Sequence, residues 1–188
     1  MIKKRIIKHN DYTRYVIFVM GFVALILFLN FLMKSDKTRA AIYISIFIIL
    51  NTIITGYKKF IRIPVEIEVL TLGIVLCTMK FGLNAGLIIG LVGGLLGFFV
   101  GLEISPFAFP MFIGYVSMAF AAFLFRGIGD VTTVGLLTAF VNNIIVFSIY
   151  HFIFGYDVMK NIRFSFSNIA LNIVLFFNLA PFLARFIV

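Results

Sequence analysis

Long apolar stretches separated by short polar turns dominate the chain, and their lengths predict a helical membrane protein. A helix needs about 20 residues to cross the hydrocarbon core of a bilayer, and most of these stretches are close to that length. One of them, segment C, is shorter, so it is either a short span or a re-entrant piece. We name the seven segments A, 15–33; B, 40–57; C, 64–79; D, 83–102; E, 106–125; F, 131–154; and G, 164–187.

Segment D carries two overlapping series of glycines in which successive glycines are four residues apart. Positions four apart lie on one face of a helix, so the glycines leave a bare stripe where another helix can approach closely. We therefore expect D to be the central, densely packed helix of the bundle. The packing positions predicted on it are Gly86, Gly90, Gly94 and Gly97.

The composition excludes an ordinary soluble protein, because 63% of the 188 residues are hydrophobic and 12% are charged. The net charge of +9 comes from Lys and Arg residues, many of them in short loops and at the N-terminus. Such residues orient membrane proteins by remaining on the cytoplasmic side. We therefore expect the bilayer, and no nucleic acid, as a partner. The predicted location is the cell membrane, with several spans and a cytoplasmic N-terminus.

No residue pattern typical of a catalytic or metal site occurs in the chain. The sequence has no HExxH, DxxD, GxSxG or Walker A motif, and it has two histidines and one cysteine, Cys77. We therefore expect that the chain is not an enzyme and holds no metal or cofactor. Any use of ATP would belong to partner subunits.

Polar side chains inside predicted spans are the candidates for ligand contact, because burying one without a partner is costly. Segment F carries two adjacent amides and segment G carries two on one helix face, and these four either contact a ligand or form hydrogen bonds between helices. Segment C begins with two carboxylates, which either contact a ligand or favour the N-terminus of a helix. The candidate substrate-binding residues are Glu66, Glu68, Asn142, Asn143, Asn168 and Asn172.

The run IPVEIEVLTLGIVLCTMKFGLNAGLIIGLVGGLLG, residues 63–97, resembles the S components of energy-coupling factor (ECF) vitamin transporters. In that family a short helix headed by proline leads through an FG turn into a glycine-rich helix. The resemblance implies an all-α polytopic membrane bundle. Residues 40–188 would form its six core helices, and residues 1–39 would add a basic N-terminus and one further transmembrane helix.

By the same resemblance, the chain would be the substrate-binding subunit of an uptake transporter for a micronutrient, such as a vitamin or its precursor. Its partners would be a small-molecule ligand, a coupling membrane subunit and a pair of ATPases. Ala41 and Ser45 look like a degenerate form of the small-residue motif with which S components dock the coupling subunit.

A second family with the same fold is the rod-shape protein MreD, whose central helix pair is similar to residues 86–127. An acidic residue often found there is replaced by Gly or Phe in this chain. This alternative implies a scaffold that binds other membrane proteins and transports nothing.

Overall fold

The computed structural model describes residues 35–61, 69–101 and 108–187, without the side chains of residues 58–61. Segment A and the start of segment C, with Glu66 and Glu68, lie outside the described residues. The chain divides into two units, Met1–Arg39 and Ala40–Val188. The packing described below belongs to the second unit.

Every secondary-structure element in the described ranges is helical, which confirms the prediction of an all-α fold. Helices α1, α3, α5 and α6 are long and apolar enough to cross a membrane. Within the described ranges three π turns interrupt the helices, at Ile89–Gly93 in α3, Ile149–Ile153 in α5 and Leu175–Leu179 in α6. The helices are α1, Asp36–Ile61; α2, Leu70–Phe81; α3, Leu83–Gly101; α4, Phe109–Phe125; α5, Val131–Ile153; and α6, Val158–Ile187.

Helix α2, the described part of segment C, is the most enclosed helix of the bundle. Residues 70–78 are all buried, and α2 contacts α3, α4, α5 and the end of α6. Helix α3, in contrast, leaves Leu91, Leu95 and Phe99 exposed along one side. The prediction that segment D is the central helix is therefore wrong. A helix that is apolar on all sides suits a position enclosed by its neighbours.

Helices α2 and α3 form an antiparallel hairpin at Gly82. This glycine has φ of 92°, a conformation that L side chains rarely adopt, and it both ends α2 and precedes α3. Glycines of α3 face α2 in reverse order along the chain: Gly86 faces Thr78, Gly90 faces Ile74 and Gly93 faces Leu70.

The two glycine series of α3 face different neighbours. A Cβ atom at Gly94 would lie 2.8 Å from the ring of Tyr115 on α4, and Gly90 faces the same residue. On another side of α3, a Cβ atom at Gly97 would lie 3.3 Å from Nδ2 of Asn51 on α1. The series 82, 86, 90 and 94 therefore accommodates α2 and α4. In the series 93, 97 and 101, Gly97 lets α1 approach, and Gly93 faces both α2 and α1.

Helices α1 and α3 run parallel to each other, which bears on how segment C passes through the bundle. Residues later in α1 contact residues later in α3: Ile48 lies near Gly93, Asn51 near Gly97 and Gly56 near Val100. The chain between them must return from the end of α1 to the end at which α3 begins. Helix α2 alone, with 12 residues, spans only about 18 Å of the roughly 30 Å core. Its direction nevertheless favours a crossing segment over a re-entrant one.

The later helices alternate in direction as well. Gly114 of α4 lies against Asn142 and Val146 of α5. Gly135 of α5 lies against the ring of Phe176 on α6. The α4–α5 turn and the α5–α6 turn therefore lie at opposite ends of the bundle.

The last helix begins before the predicted start of segment G at residue 164. Asp157 caps α6, because its Oδ1 accepts a 2.9 Å hydrogen bond from the backbone N–H of Lys160. Lys160 and Arg163 therefore belong to the helix and not to a loop, and the predicted boundary is wrong. The first turns of α6 contain polar residues, so a hydropathy pattern does not reveal where this helix begins.

Candidate ligand-binding site

Buried amide side chains are concentrated where α5 and α6 pack together. None of them is more than 7% exposed. The sequence predicts four of the five, and the fifth lies on α6, seven residues before one predicted amide of that helix and eleven before the other. The five residues are Asn142, Asn143, Asn161, Asn168 and Asn172.

Asn168 is the centre of a hydrogen-bond network between the two helices. Its Oδ1 accepts a 3.0 Å bond from Asn143 Nδ2 and a 2.9 Å bond from Asn172 Nδ2. Each donor is also bound to a backbone carbonyl oxygen, Asn143 Nδ2 to Ala139 at 2.8 Å and Asn172 Nδ2 to Asn168 at 2.9 Å. These backbone bonds set the orientation of both amides. Asn143 and Asn172 therefore serve helix packing, the first of the two roles considered for them.

Asn161 adds a second link between the same helices. Its Nδ2 donates a 2.9 Å hydrogen bond to the carbonyl oxygen of Phe147 on α5. The hydropathy pattern places Asn161 in a loop before segment G and therefore does not single it out. The signal was present, since Asn161, Asn168 and Asn172 are seven and four residues apart and share one helix face.

Asn142 and Asn168 line one small cleft between three helices. The cavity volume is about 10 Å³, which is the room that about one water molecule needs. Asn142 Oδ1 is buried without a hydrogen-bond partner among the described residues and lies against Gly114. None of the lining residues is acidic or basic. They are Met111 and Tyr115 of α4, Asn142 and Val146 of α5, and Phe164 and Asn168 of α6.

Aromatic side chains cluster beside the cleft at the α5–α6 turn. The ring of Tyr150 lies 5.6 Å from that of Tyr156, 6.2 Å from that of Phe164 and 6.4 Å from that of Phe154, centroid to centroid. Phe164 belongs both to this cluster and to the cleft wall. The cleft therefore combines amide groups with apolar and aromatic walls, a combination suited to binding a small uncharged group.

The remaining predicted residues lie away from this cleft or outside the described ranges. Ala41 and Ser45 are exposed on α1, which contributes no lining residue. Glu66 and Glu68 are not among the described residues, so their role stays a prediction. Within the described residues no group of three or more His, Cys, Asp or Glu side chains could hold a metal ion.

The helices and the cleft define a class, a multi-pass helical membrane protein with a buried amide cluster between its last two helices. Comparison with protein-family models, curated proteins and solved structures finds no match to this chain. Its function must be inferred from its own residues.

Proposed function

We propose that this chain is the membrane-embedded substrate-binding subunit of an ECF-type uptake transporter for a micronutrient. The observation that carries the proposal is the position of Asn142 and Asn168, two buried amides that line one cleft between α4, α5 and α6. Ligand sites of helix bundles are built in this way, from side chains on facing helices. A buried amide group that helix packing does not use, such as Nδ2 of Asn168, is a candidate for reading a ligand's hydrogen-bonding groups.

The geometry at the FG turn supports the resemblance to S components. Phe81 ends the short helix α2, and Gly82 connects it to the glycine-rich helix α3. The resemblance therefore falls on a structural unit, a helix hairpin, and not on an arbitrary apolar run. The proposed location is the cell membrane, with the cytoplasmic N-terminus that the basic residues at the start of the chain predict.

In this proposal the chain binds the ligand, and its partners supply the energy. A coupling membrane subunit docks at Ala41 and Ser45, which lie exposed on α1. A pair of ATPases hydrolyses ATP, so the chain itself needs neither a catalytic residue nor a cofactor.

The size of the cleft limits how a vitamin-sized ligand can bind. Pockets for such ligands measure roughly 300–1,000 Å³, whereas this cleft measures about 10 Å³. The ligand would therefore place one polar group in the cleft, while its remaining atoms would require α4 and α6 to separate or would contact other segments. Glu66 and Glu68 stay candidates for those contacts on sequence grounds.

The same small volume favours a second candidate, a non-transporting scaffold like MreD. In a scaffold the amides would only hold α5 and α6 together, and the cleft would hold one water molecule. The two functions differ in whether a small molecule binds the purified chain.

The deciding experiment is native mass spectrometry of the detergent-purified protein, followed by calorimetry with a panel of vitamins and their precursors. We expect one compound to bind, and Asn168→Ala to weaken it about tenfold or more through loss of one hydrogen bond. Asn178→Ala is the matched control, because Asn178 is exposed on the same helix and its Nδ2 donates to the backbone carbonyl of Val174 within that helix. A protein that binds no compound of the panel but co-purifies with cell-shape proteins would favour the scaffold.

A further inference from the structure

The hydrogen-bond network orients the amide of Asn168. Both donors to its Oδ1 are bound to backbone carbonyls, so neither amide can rotate without losing two bonds. The Oδ1 atom of Asn168 must therefore face Asn143 and Asn172. Its Nδ2 group lies on the opposite side of the amide and is therefore the group available to the cleft that Asn168 lines.

The amide of Asn142 is oriented in a similar way, with its oxygen buried and its nitrogen on the side of the cleft. Its Oδ1 is buried against the Cα of Gly114, where a weak C–H···O contact is available. The reverse orientation would bury two N–H donors against a CH₂ group, which costs more than burying one acceptor at a weak donor. Nδ2 of Asn142 is therefore the group that can reach the cleft.

We propose that the cleft is a binding site for a single acceptor oxygen, held by Nδ2 of Asn142 and Nδ2 of Asn168. The matching ligand group is the carbonyl oxygen of an uncharged lactam, amide or urea-type ring. A volume near that of one water molecule suits one oxygen atom, while Met111 and Phe164 provide apolar walls for an adjoining ring. A carboxylate fits less well, because no basic side chain is among the lining residues to offset its desolvation.

Water supplies the same chemistry, so one water molecule occupies the site before a carbonyl displaces it. The inference rests on the proposed function, because it identifies this cleft as the point where the ligand is read. It adds the chemical character of the cleft, which offers two hydrogen-bond donors and no charged group.

The test uses the full chain, labelled with ¹⁵N-asparagine in detergent micelles, and follows the side-chain NH₂ resonances by NMR. The probes are 2-pyrrolidinone, which offers a carbonyl oxygen, pyrrole, which offers only a donor, and acetate, which offers a charged acceptor. We expect 2-pyrrolidinone to shift the Asn142 and Asn168 resonances and to remove a water-to-amide cross-peak present without it. Pyrrole and acetate should shift neither resonance, and the exposed Asn178 should not respond to any probe.

Asn142→Leu and Asn168→Leu should each lower the affinity for 2-pyrrolidinone about tenfold. If either variant fails to fold, the comparison of the three probes on the unmodified protein still tests whether the site prefers an uncharged acceptor oxygen. The inference is overturned if pyrrole or acetate shifts the two amides as strongly as the lactam. It is also overturned if the water cross-peak persists and the lactam shifts neither amide.

The failure of this inference and the failure of the proposed function give different experimental results. A vitamin that binds by calorimetry without shifting either amide overturns this inference and leaves the transporter proposal standing. Lactam-specific shifts without binding of any vitamin support the acceptor site and count against the transporter.

Discussion

The hydroxyl group of Thr132 on α5 donates a 3.0 Å hydrogen bond to the carbonyl oxygen of Phe176 on α6. Phe176 lies in the π turn Leu175–Leu179, in which the N–H of Ala180 bonds the carbonyl of Leu175. In this register the partner of the Phe176 carbonyl would be the N–H of residue 181, which is proline and has none. Thr132 therefore satisfies a carbonyl that Pro181 leaves without a partner in its own helix.

Removing the Thr132 hydroxyl should destabilise the bundle through this carbonyl. We expect Thr132→Val to lower the free energy of unfolding by about 1–2 kcal/mol, because it leaves a partly buried carbonyl without its hydrogen bond. The same change should cost less in a Pro181→Ala background, because residue 181 then supplies an N–H. Reversible unfolding in mixed detergent would give all four corners of this double-mutant cycle.

Ser148→Ala is the control for that cycle, since the Ser148 hydroxyl bonds only to Ile144 of its own helix. Its cost should be small and independent of residue 181. An equal cost of Thr132→Val in both backgrounds would show that Thr132 stabilises the fold by another route.

The two glycine series of α3 should respond differently to alanine. At Gly94 the added Cβ would lie 2.8 Å from the Tyr115 ring, so we expect Gly94→Ala to cost about 1–3 kcal/mol. At Gly97 it would lie 3.3 Å from the Asn51 amide, which can shift by a few tenths of an ångström, so the change should be close to neutral. Thermal unfolding in detergent would measure both, with Phe99→Leu on the exposed side as control. A Gly94→Ala protein as stable as the parent would contradict close packing at this position.

Asn168 should contribute more to stability than an exposed asparagine of the same helix. Asn168→Leu removes the acceptor shared by Asn143 and Asn172, and we expect it to lower the free energy of unfolding by about 1–3 kcal/mol. The control Asn178→Leu should change stability by less than about 0.5 kcal/mol, because Asn178 is exposed. Equal effects in the same unfolding assay would mean that the network stabilises nothing.

Bulky side chains at Ala41 and Ser45 should affect partner binding and not folding. Both residues are exposed, so Ala41→Leu and Ser45→Leu should leave thermal stability unchanged. Under the proposed function, the same variants should no longer co-purify with the coupling subunit. Ile53→Phe, which enlarges another exposed residue of α1, serves as the control. Loss of stability in the Ala41 and Ser45 variants would indicate an internal packing role instead.

Cysteine labelling in intact cells would test the orientation. Gly127 and Gly155 lie in turns at opposite ends of the bundle, and native Cys77 is buried. If the N-terminus is cytoplasmic and all seven segments cross, an impermeant reagent should label Gly127→Cys, whereas Lys3→Cys and Gly155→Cys should be protected. Labelling of Lys3→Cys and Gly155→Cys, with protection of Gly127→Cys, would reverse the orientation.

Several features of the fold follow from local sequence patterns. The glycines at intervals of four residues predict a bare helix face, and each series of α3 does face a neighbouring helix. Segments D and F begin where α3 and α5 begin and end within one residue of them. The beginning of α6 was missed, because its N-cap at Asp157 precedes polar turns that a hydropathy pattern assigns to a loop.

The sequence by itself determined that the described chain forms apolar helices long enough for a bilayer, and which positions on them are small or polar. Only the tertiary structure decided that α2 is enclosed, that Asn143 and Asn172 both bind Asn168, and that Asn142 reaches the same cleft. The physical reason is that lipid tails and protein interiors are equally apolar. An apolar helix face therefore looks the same whether it meets lipid or another helix, and only contacts between distant segments distinguish the two.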